Sequence, residues 1–163
     1  MSKVALLIID MQKGLQEEVT CKVAFDQAVM YINEIGHFFR EKELPVVIVQ
    51  DLEVGGVGSD SFECVENLLV ADSDYRIQKK FNNAFWETEL DELLKGEDVD
   101  AVVISGFAAE HCVLFSYNGA LERGYAAFLL QKGIAGYSEK EIDNIQLLRG
   151  VISYQALEYF LGR

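Results

Sequence analysis

The chain has 163 residues, half of them hydrophobic and a quarter charged, which is the balance of a folded globular domain and not of a disordered chain. Its formal net charge of -13 argues against a nucleic-acid partner, because phosphate backbones bind clustered Lys and Arg side chains. We therefore expect one domain, residues 1–163, that does not bind nucleic acid.

The first apolar run, residues 4–9, is too short for a membrane span or a complete secretory signal. We expect a cytoplasmic protein without a membrane partner. The three cysteines, Cys21, Cys64 and Cys112, are odd in number and widely spaced, so they predict neither a disulfide framework nor a CxxC metal or redox motif. At least one thiol is then free.

In the first third of the chain, short apolar runs flank one amphipathic segment. The elements predicted there are a strand, a helix, a second strand and a loop, at 4–9, about 24–41, 45–50 and 51–60. The helix is predicted from apolar residues at helical spacing, namely Ala28, Ile32, Ile35 and Phe39. The loop is rich in glycine and acidic residues, so we expect a flexible surface segment in the position of a lid.

The same alternation continues to the end of the chain. Strands are predicted at 75–78, 101–105, 126–130 and, at a sheet edge, 151–153, with helices at 88–94, 112–124, 139–148 and the carboxyl end. The pattern is typical of βαβ units. We predict a three-layer, doubly wound α/β domain, whose mostly parallel sheet is covered by helices on both faces.

Three reactive side chains follow predicted strands. Asp10 ends the first strand, Lys79 ends the third, and Cys112 opens the helix after the fourth. Ligands of open parallel sheets bind beyond the carboxyl ends of the strands, so we expect these three groups to meet there. Taken alone, an aspartate in such a place is usually a turn residue and a lysine is usually solvated.

The predicted position of Cys112 has a consequence for its acidity. The positive end of the helix dipole and a nearby ammonium would lower the thiol pKa toward neutrality. A neighbouring carboxylate would accept the proton. Nucleophile, base and cation form a minimum set for attack on an amide or ester carbonyl.

Three segments carry a family resemblance. IIDMQKGL at 8–15, IQKKFNNAFWETEL at 77–90 and ISGFAAEHCV at 104–113 resemble, in order and separation, the signature blocks of the isochorismatase-like cysteine hydrolases. This family includes nicotinamidases, N-carbamoylsarcosine amidases and isochorismatases. The similarity extends from Val4 to about Leu130.

The resemblance implies roles for individual residues. Asp10 matches the family's catalytic aspartate, Lys79 its lysine and Cys112 its nucleophile, while Lys80 lacks the spacing of Lys79 from the block's phenylalanine. It also implies a cis peptide at Phe107-Ala108 and an oxyanion hole made by the N–H groups of Ala108 and Cys112. The implied enzyme hydrolyses a small carboxamide or carbamoyl compound through a thioester, needs no cofactor, and forms a homodimer or larger homo-oligomer.

The chain departs from the family at the position of the nicotinamidase metal. Asp51 and Glu53 follow the second strand there, but no histidine accompanies them. The two histidines of the chain are His37, in a predicted helix, and His111, beside the nucleophile. We therefore predict no histidine-based metal site.

The substrate pocket is predicted to be altered. Leu15 stands where an aromatic residue is common in the family, and Asn82-Asn83 replace an aromatic residue and a serine. Phe85, Trp86 and Phe107 are candidates to line the pocket with Leu15, although aromatic residues in such places pack in the core at least as often.

Two other functions compete with hydrolysis. The size, acidity and predicted topology also suit a flavodoxin-like nucleotide binder, but the segment 10–15 lacks the glycine and Ser/Thr pattern of a phosphate cradle. The chain could also be a catalytically silent member of this fold that acts as an interaction module. The complete set of Asp10, Lys79 and Cys112 argues against this alternative.

Overall fold

The structure of the chain is a computed structural model that describes residues 3–19 and 22–162. Its strands are β1 Lys3–Ile9, β2 Val46–Asp51, β3 Tyr75–Lys79, β4 Val99–Gly106, β5 Ala126–Ile134 and β6 Val151–Ile152. Its helices are α1 Lys13–Glu18, α2 Lys22–Glu41, α3 Leu90–Gly96, α4 Leu114–Glu122, α5 Glu139–Leu148 and α6 Tyr154–Leu161. Cys21, one of the three cysteines, lies outside the described residues.

The six strands form one sheet in the order β3-β2-β1-β4-β5-β6, and every pair of neighbours runs parallel. The chain starts in the middle of the sheet, builds one half outward and then crosses to the other. The carboxyl ends of β1, β2, β3 and β4 therefore lie along one edge.

Side chains of the central strand alternate between two hydrophobic clusters. Ala5, Leu7 and Ile9 pack in the cluster that holds α3, α4 and α5. Leu6 and Ile8 pack on the other face, against α2 and α6. Both faces of the sheet are thus covered, and the predicted three-layer, doubly wound fold is confirmed.

Several element bounds differ from the predictions. A short helix that the sequence did not predict, α1 Lys13–Glu18, lies between β1 and α2. Strand β5 runs four residues past Leu130, to Ile134. The helical segment of the nucleophile begins before Cys112, as a π-helical turn over Ala109–Val113 that leads into α4.

The segment after β2 is fastened at both ends by one buried glutamine. The Gln12 side chain donates to the carbonyls of Asp51, at 3.1 Å, and Phe62, at 3.0 Å, and it accepts the Asp51 N–H at 2.8 Å. Gly55, Gly56 and Gly58 have φ values of 70–88° between these points. That this loop moves as a lid stays a prediction.

Among the helices of the described ranges, none has the length and the apolar character needed to cross a membrane.

Candidate active site

Asp10 lies where β1 ends and the chain turns. Its φ is 52°, in the left-handed region that residues other than glycine rarely occupy, and its N–H donates to the Val49 carbonyl at 2.9 Å. Next to it, Gly106 has a φ of 109°, and a Cβ at that position would lie 2.0 Å from the Ile9 carbonyl oxygen. Only glycine lets β4 approach β1 so closely at this point.

Lys79, at the end of β3, is the centre of the site. Its Nζ lies 2.8 Å from Asp10 Oδ2, 2.8 Å from Asp51 Oδ2 and 3.3 Å from Cys112 Sγ. Only 1% of Lys79 and 1% of Asp10 is exposed. The fold therefore brings together the three side chains that the sequence singled out, and it adds Asp51 to them.

The sequence interpretation missed Asp51 as a partner of this group and considered it only as part of an incomplete metal site. Its position could have indicated this role, because Asp51 ends β2 at the same sheet edge as Asp10 and Lys79. Gln12 fixes its backbone on both sides, as described above. The Asp51 carboxylate is thereby held at the ammonium.

Burial controls the acidity of Asp10 and Cys112. It raises the pKa of Asp10 to about 6, although the Lys79 charge opposes the shift. It also raises the pKa of Cys112 to about 12, with the Asp10 charge adding to the shift and Lys79 opposing it. The pKa of Cys112 is therefore raised and not lowered as expected, because desolvation and the Asp10 charge outweigh the effect of Lys79.

The pKa of Lys79 moves the other way. Burial alone would lower the pKa of Lys79, but the charge of Asp10 and the hydrogen bonds to Asp10 and Asp51 raise it above its ordinary value. At neutral pH the site thus holds an ammonium, a protonated thiol and a largely ionised Asp10. A reaction in which the Cys112 sulfur acts as a nucleophile would have to remove this proton.

Asp10 has unused acceptor capacity. Its Oδ2 is paired with Lys79 Nζ at 2.8 Å, and within the described part of the chain Oδ1 has no hydrogen-bond partner. A buried carboxylate is costly unless donors satisfy it. Ligand atoms of Asp10 and Cys112 lie within 4.8 Å of each other, so this carboxylate is close enough to be a candidate acceptor of the thiol proton.

The turn that carries Cys112 is fixed to both neighbouring strands. The Phe107-Ala108 peptide is cis, which confirms the expectation. The N–H of Phe107 donates to the Ile9 carbonyl at 2.9 Å, that of Ala109 to the Ala135 carbonyl at 2.8 Å and that of Val113 to the Ala108 carbonyl at 3.1 Å. These three amides are occupied, so the predicted oxyanion donors remain those of Ala108 and Cys112.

A further polar side chain, Asn82, adjoins Cys112. Cys112 Sγ lies 3.5 Å from Asn82 Oδ1, to which the thiol donates. Ser116 of α4 holds this segment, since its Oγ accepts the Ala84 N–H at 2.9 Å and donates to the Asn82 carbonyl at 3.4 Å. The sequence marked Asn82 only as a departure from the family pattern.

The four predicted pocket residues lie in different environments. Phe85 is buried and stacks on Tyr125 in the core, with ring centroids 5.9 Å apart. Phe107 is buried with its ring centroid 5.0 Å from that of Tyr137. Trp86 is 54% exposed, and Leu15 lines a cavity together with Asp51. Leu15 thus lines a cavity with Asp51, the carboxylate that contacts Lys79.

Carboxylates and a thiol are common metal ligands, so we asked whether the site could bind a metal ion. One ligand atom each of Asp10, Asp51 and Cys112 lies within 4.8 Å of the others, but Lys79 Nζ already contacts all three side chains. A metal cation there would meet the ammonium. His37 lies beside Glu41 on α2, and the His111 ring packs near Tyr137. These residues do not fit a histidine-bound zinc site.

Comparisons with known proteins agree on one family. The isochorismatase domain model matches residues 4–152. Among curated proteins, the uncharacterized isochorismatase family protein YaaI of Bacillus subtilis is 29% identical over 150 residues, which cover 84% of this chain and 83% of YaaI.

Solved structures share the fold. An isochorismatase-like hydrolase from Alkaliphilus metalliredigens has a TM-score of 0.83 at 22% identity, covering 99% of this chain and 98% of that one. N-carbamoylsarcosine amidase from Thermoplasma acidophilum has a TM-score of 0.79 at 24% identity, covering 93% and 95%. At these identities the likeness speaks for the fold alone.

Proposed function

The chain belongs to the isochorismatase family, and from that membership we propose that it hydrolyses a small carboxamide or carbamoyl substrate through a thioester on Cys112. The observation that carries the proposal is the set of contacts from Lys79 Nζ to Asp10, Asp51 and Cys112. These contacts unite a nucleophile, a base and a cation in a buried place.

In the first half of the reaction, Asp10 accepts the thiol proton as sulfur attacks the carbonyl carbon. Because the pKa of Cys112 is raised to about 12, a free thiolate is scarce and proton transfer accompanies attack. The N–H groups of Ala108 and Cys112 hold the oxyanion. The C–N bond then breaks, the amine leaves with the proton from Asp10, and an acyl thioester remains on Cys112.

In the second half, water attacks the thioester. Asp10 accepts the water proton, the C–S bond breaks, and the proton returns to the sulfur as the carboxylic acid departs. The products are one acid and one amine or ammonia, and the enzyme is restored. Lys79 stabilises the anionic form to which Asp10 returns after each proton transfer, and Lys79 itself stays protonated.

The test compares the parent with Cys112→Ala, Asp10→Asn and Lys79→Met over a panel of small amides and carbamoyl compounds, measuring ammonia release. We expect each variant to lose at least about a hundredfold in kcat/KM. Cys64→Ala and Lys80→Met serve as controls at a second thiol and an exposed neighbouring lysine, and both should stay active. Parent kcat/KM should rise with pH to a half-maximum at about 6, following Asp10.

A covalent adduct provides a second readout. Acid quenching during turnover should trap an acyl group on the Cys112 peptide, detectable by mass and removable by hydroxylamine. Undiminished turnover in Cys112→Ala or Asp10→Asn would refute these roles. A parent that neither turns over the panel nor forms an adduct would favour the interaction module.

We also propose the cellular location and the oligomeric state of the protein. A cytoplasmic location suits the free thiols of Cys64 and Cys112, since reducing compartments preserve such groups. Exposed apolar side chains, among them Leu147 and Phe160, support self-association into a homodimer or larger assembly. Light scattering on the purified protein measures its mass in solution, and a monomer would contradict that part of the proposal.

A further inference from the structure

The side chains around the Cys112 sulfur differ in their exposure to solvent. Lys79 Nζ lies 3.3 Å from Sγ, and a carboxylate oxygen of Asp10 lies within 4.8 Å of it, but each of these residues is only 1% exposed. Asn82 contacts Sγ through Oδ1 at 3.5 Å and is itself an exposed residue. A molecule that comes from solvent to the sulfur therefore meets Asn82 before it meets the buried ion pair.

The backbone at Asn82 is held in place by helix α4. The hydroxyl of Ser116, a residue with 0% exposure, accepts the Ala84 N–H at 2.9 Å and donates to the Asn82 carbonyl at 3.4 Å. One buried hydroxyl thus fixes the segment that follows β3 at two points. The Asn82 side chain is therefore placed at the sulfur before any ligand binds, which lowers the entropy cost of using it for recognition.

The two neighbouring asparagines differ in what their side chains contact. Asn83 Oδ1 accepts the Phe85 N–H at 2.9 Å, two residues further along, as in an Asx turn, and the side chain packs where a Cβ on Gly119 of α4 would lie. Among residues 3–19 and 22–162, the Asn82 side chain makes a hydrogen bond with the Cys112 thiol alone. Asn83 thus shapes the turn, and Asn82 directs its polar group to the site.

The hydrogen bond from the thiol to Asn82 Oδ1 ends when the sulfur attacks. In the proposed reaction the thiol proton passes to Asp10, so Oδ1 loses its donor. The carbonyl carbon is then about 3–3.5 Å from the sulfur or closer, and the amide nitrogen is one bond away from that carbon. This nitrogen lies within reach of an acceptor that is 3.5 Å from Sγ. An N–H on it would replace the hydrogen bond that Oδ1 has lost.

We infer that Asn82 determines specificity, because its Oδ1 accepts an N–H of the scissile amide of the substrate once the thiol proton has moved. The inference rests on the proposed function, since it takes Cys112 as the nucleophile. Primary carboxamides and carbamoyl groups offer such an N–H. Esters and tertiary amides offer none and would leave Oδ1 without a donor, so the site selects against them.

Two alkylating reagents test the inference without a known substrate. Iodoacetamide carries a primary amide, and 2-iodo-N,N-dimethylacetamide has the same reactive carbon but no N–H group. With either reagent an S–C bond forms at Cys112, the C–I bond breaks, iodide leaves, and the thiol proton passes to Asp10 and then to solvent. The mass of the Cys112 peptide over time gives the two rates. The ratio of the rates with free 2-mercaptoethanol is the reference.

We expect Cys112 of the parent to prefer iodoacetamide by about threefold to tenfold over that reference, as one hydrogen bond contributes. Asn82→Leu keeps the branching of the side chain without an acceptor and should lower the preference by the same factor. Asn82→Asp keeps an oxygen acceptor and should retain the preference within about twofold, although its charge slows both reagents. Asn67→Leu, at an exposed residue between β2 and β3, is the control and should change neither rate.

The outcomes separate the inference from the proposed function. If Asn82→Leu slows both reagents equally, or if the parent shows no preference, Asn82 at most orients the thiol, and the inference is overturned while the nucleophile stands. Loss of the preference in Asn82→Asp would assign the interaction to the N–H donors of Asn82 and overturn the inference as well. If neither reagent labels Cys112 in the folded protein but both label it in urea, the proposed function and the inference fail together.

Discussion

Lys79 shows how single residues acquire their chemistry in this protein. An ammonium that is 1% exposed would ordinarily lose its proton, but Asp10 and Asp51 lie 2.8 Å away and hold the charge. Cys112 is also protonated, but in its neutral form, because burial and the Asp10 charge raise the pKa of the thiol. The resting site is therefore an ion-pair network beside a neutral thiol, and the proposed attack by Cys112 needs Asp10 as its base.

Asp10 should make stability depend on pH. Its pKa is about 6 in the folded chain against 3.8 for the free group, so the unfolded state releases the proton first as pH rises. The stabilising contribution is complete below about pH 4 and is lost by about pH 7, and a shift of about two pKa units corresponds to about 3 kcal/mol. The parent should thus lose about this much free energy of unfolding relative to Asp10→Asn across that interval.

Urea unfolding at several pH values measures that difference. Asp143→Asn, at an exposed residue of α5, is the control and should follow the parent at every pH. A parent-minus-variant difference that is constant with pH, or that grows as pH rises, would contradict the raised pKa of Asp10.

At the scale of elements, the position of Cys112 depends on how β1, β4 and the turn after β4 pack together. Phe107 donates to Ile9 of β1, while Ala109 donates to Ala135, directly after β5. The turn over Ala109–Val113 is thereby attached to the sheet at two points. The close approach at Gly106 is part of the same arrangement, since it leaves no room for a side chain.

Two glycine variants distinguish the energetic cost of a left-handed backbone conformation from the cost of a steric clash between strands. Gly106 and Gly124 both have positive φ, 109° and 88°, but a Cβ at Gly124 would meet nothing within 4 Å. Gly124→Ala should cost roughly 1–2 kcal/mol of unfolding free energy, from the left-handed conformation alone. Gly106→Ala should cost at least about twice as much, or prevent folding, because it also displaces β1 from β4.

Denaturant midpoints of the two variants provide the measurement. Equal losses for both would mean that β1 and β4 separate easily at Gly106, contrary to the contact described here. A folded Gly106→Ala variant should in addition show slower labelling of Cys112, which Gly124→Ala should not.

At the scale of the whole molecule, the parallel sheet collects the ends of four strands at one edge, and the reactive residues follow from that. Asp10 directly follows β1, Asp51 and Lys79 end β2 and β3, and Cys112 follows β4. The chain as a whole carries an excess of carboxylates, with a formal net charge of -13. The same excess makes the folded chain repel itself.

Salt should therefore stabilise the molecule. Raising NaCl from about 0.02 M to about 0.5 M screens the repulsion and should raise the midpoint of thermal unfolding by a few degrees. Circular dichroism follows the transition, and choline chloride at equal ionic strength should act alike, because screening does not depend on the cation. A midpoint that falls with salt would show that attractive surface pairs dominate.

Much of this arrangement was predictable from patterns along the chain. Apolar runs and their helical neighbours predict the sheet, its parallel strands and its two covered faces, because hydrophobic periodicity is a local property. The positions of Asp10, Lys79 and Cys112 after strands place them at one edge, since parallel strands in one sheet end together. The helix α1 escaped notice, because six residues give too little periodicity to detect.

Tertiary structure alone decided how these groups behave. The sequence indicated an acidified Cys112, but the fold buries the thiol beside Asp10, and the balance of desolvation against charge depends on distances of a few ångströms that packing sets. Packing likewise sent Phe85 into the core against Tyr125 and left Leu15 at the cavity with Asp51. Residue type and order thus determined which groups meet, while three-dimensional packing determined their protonation and the space a ligand can fill.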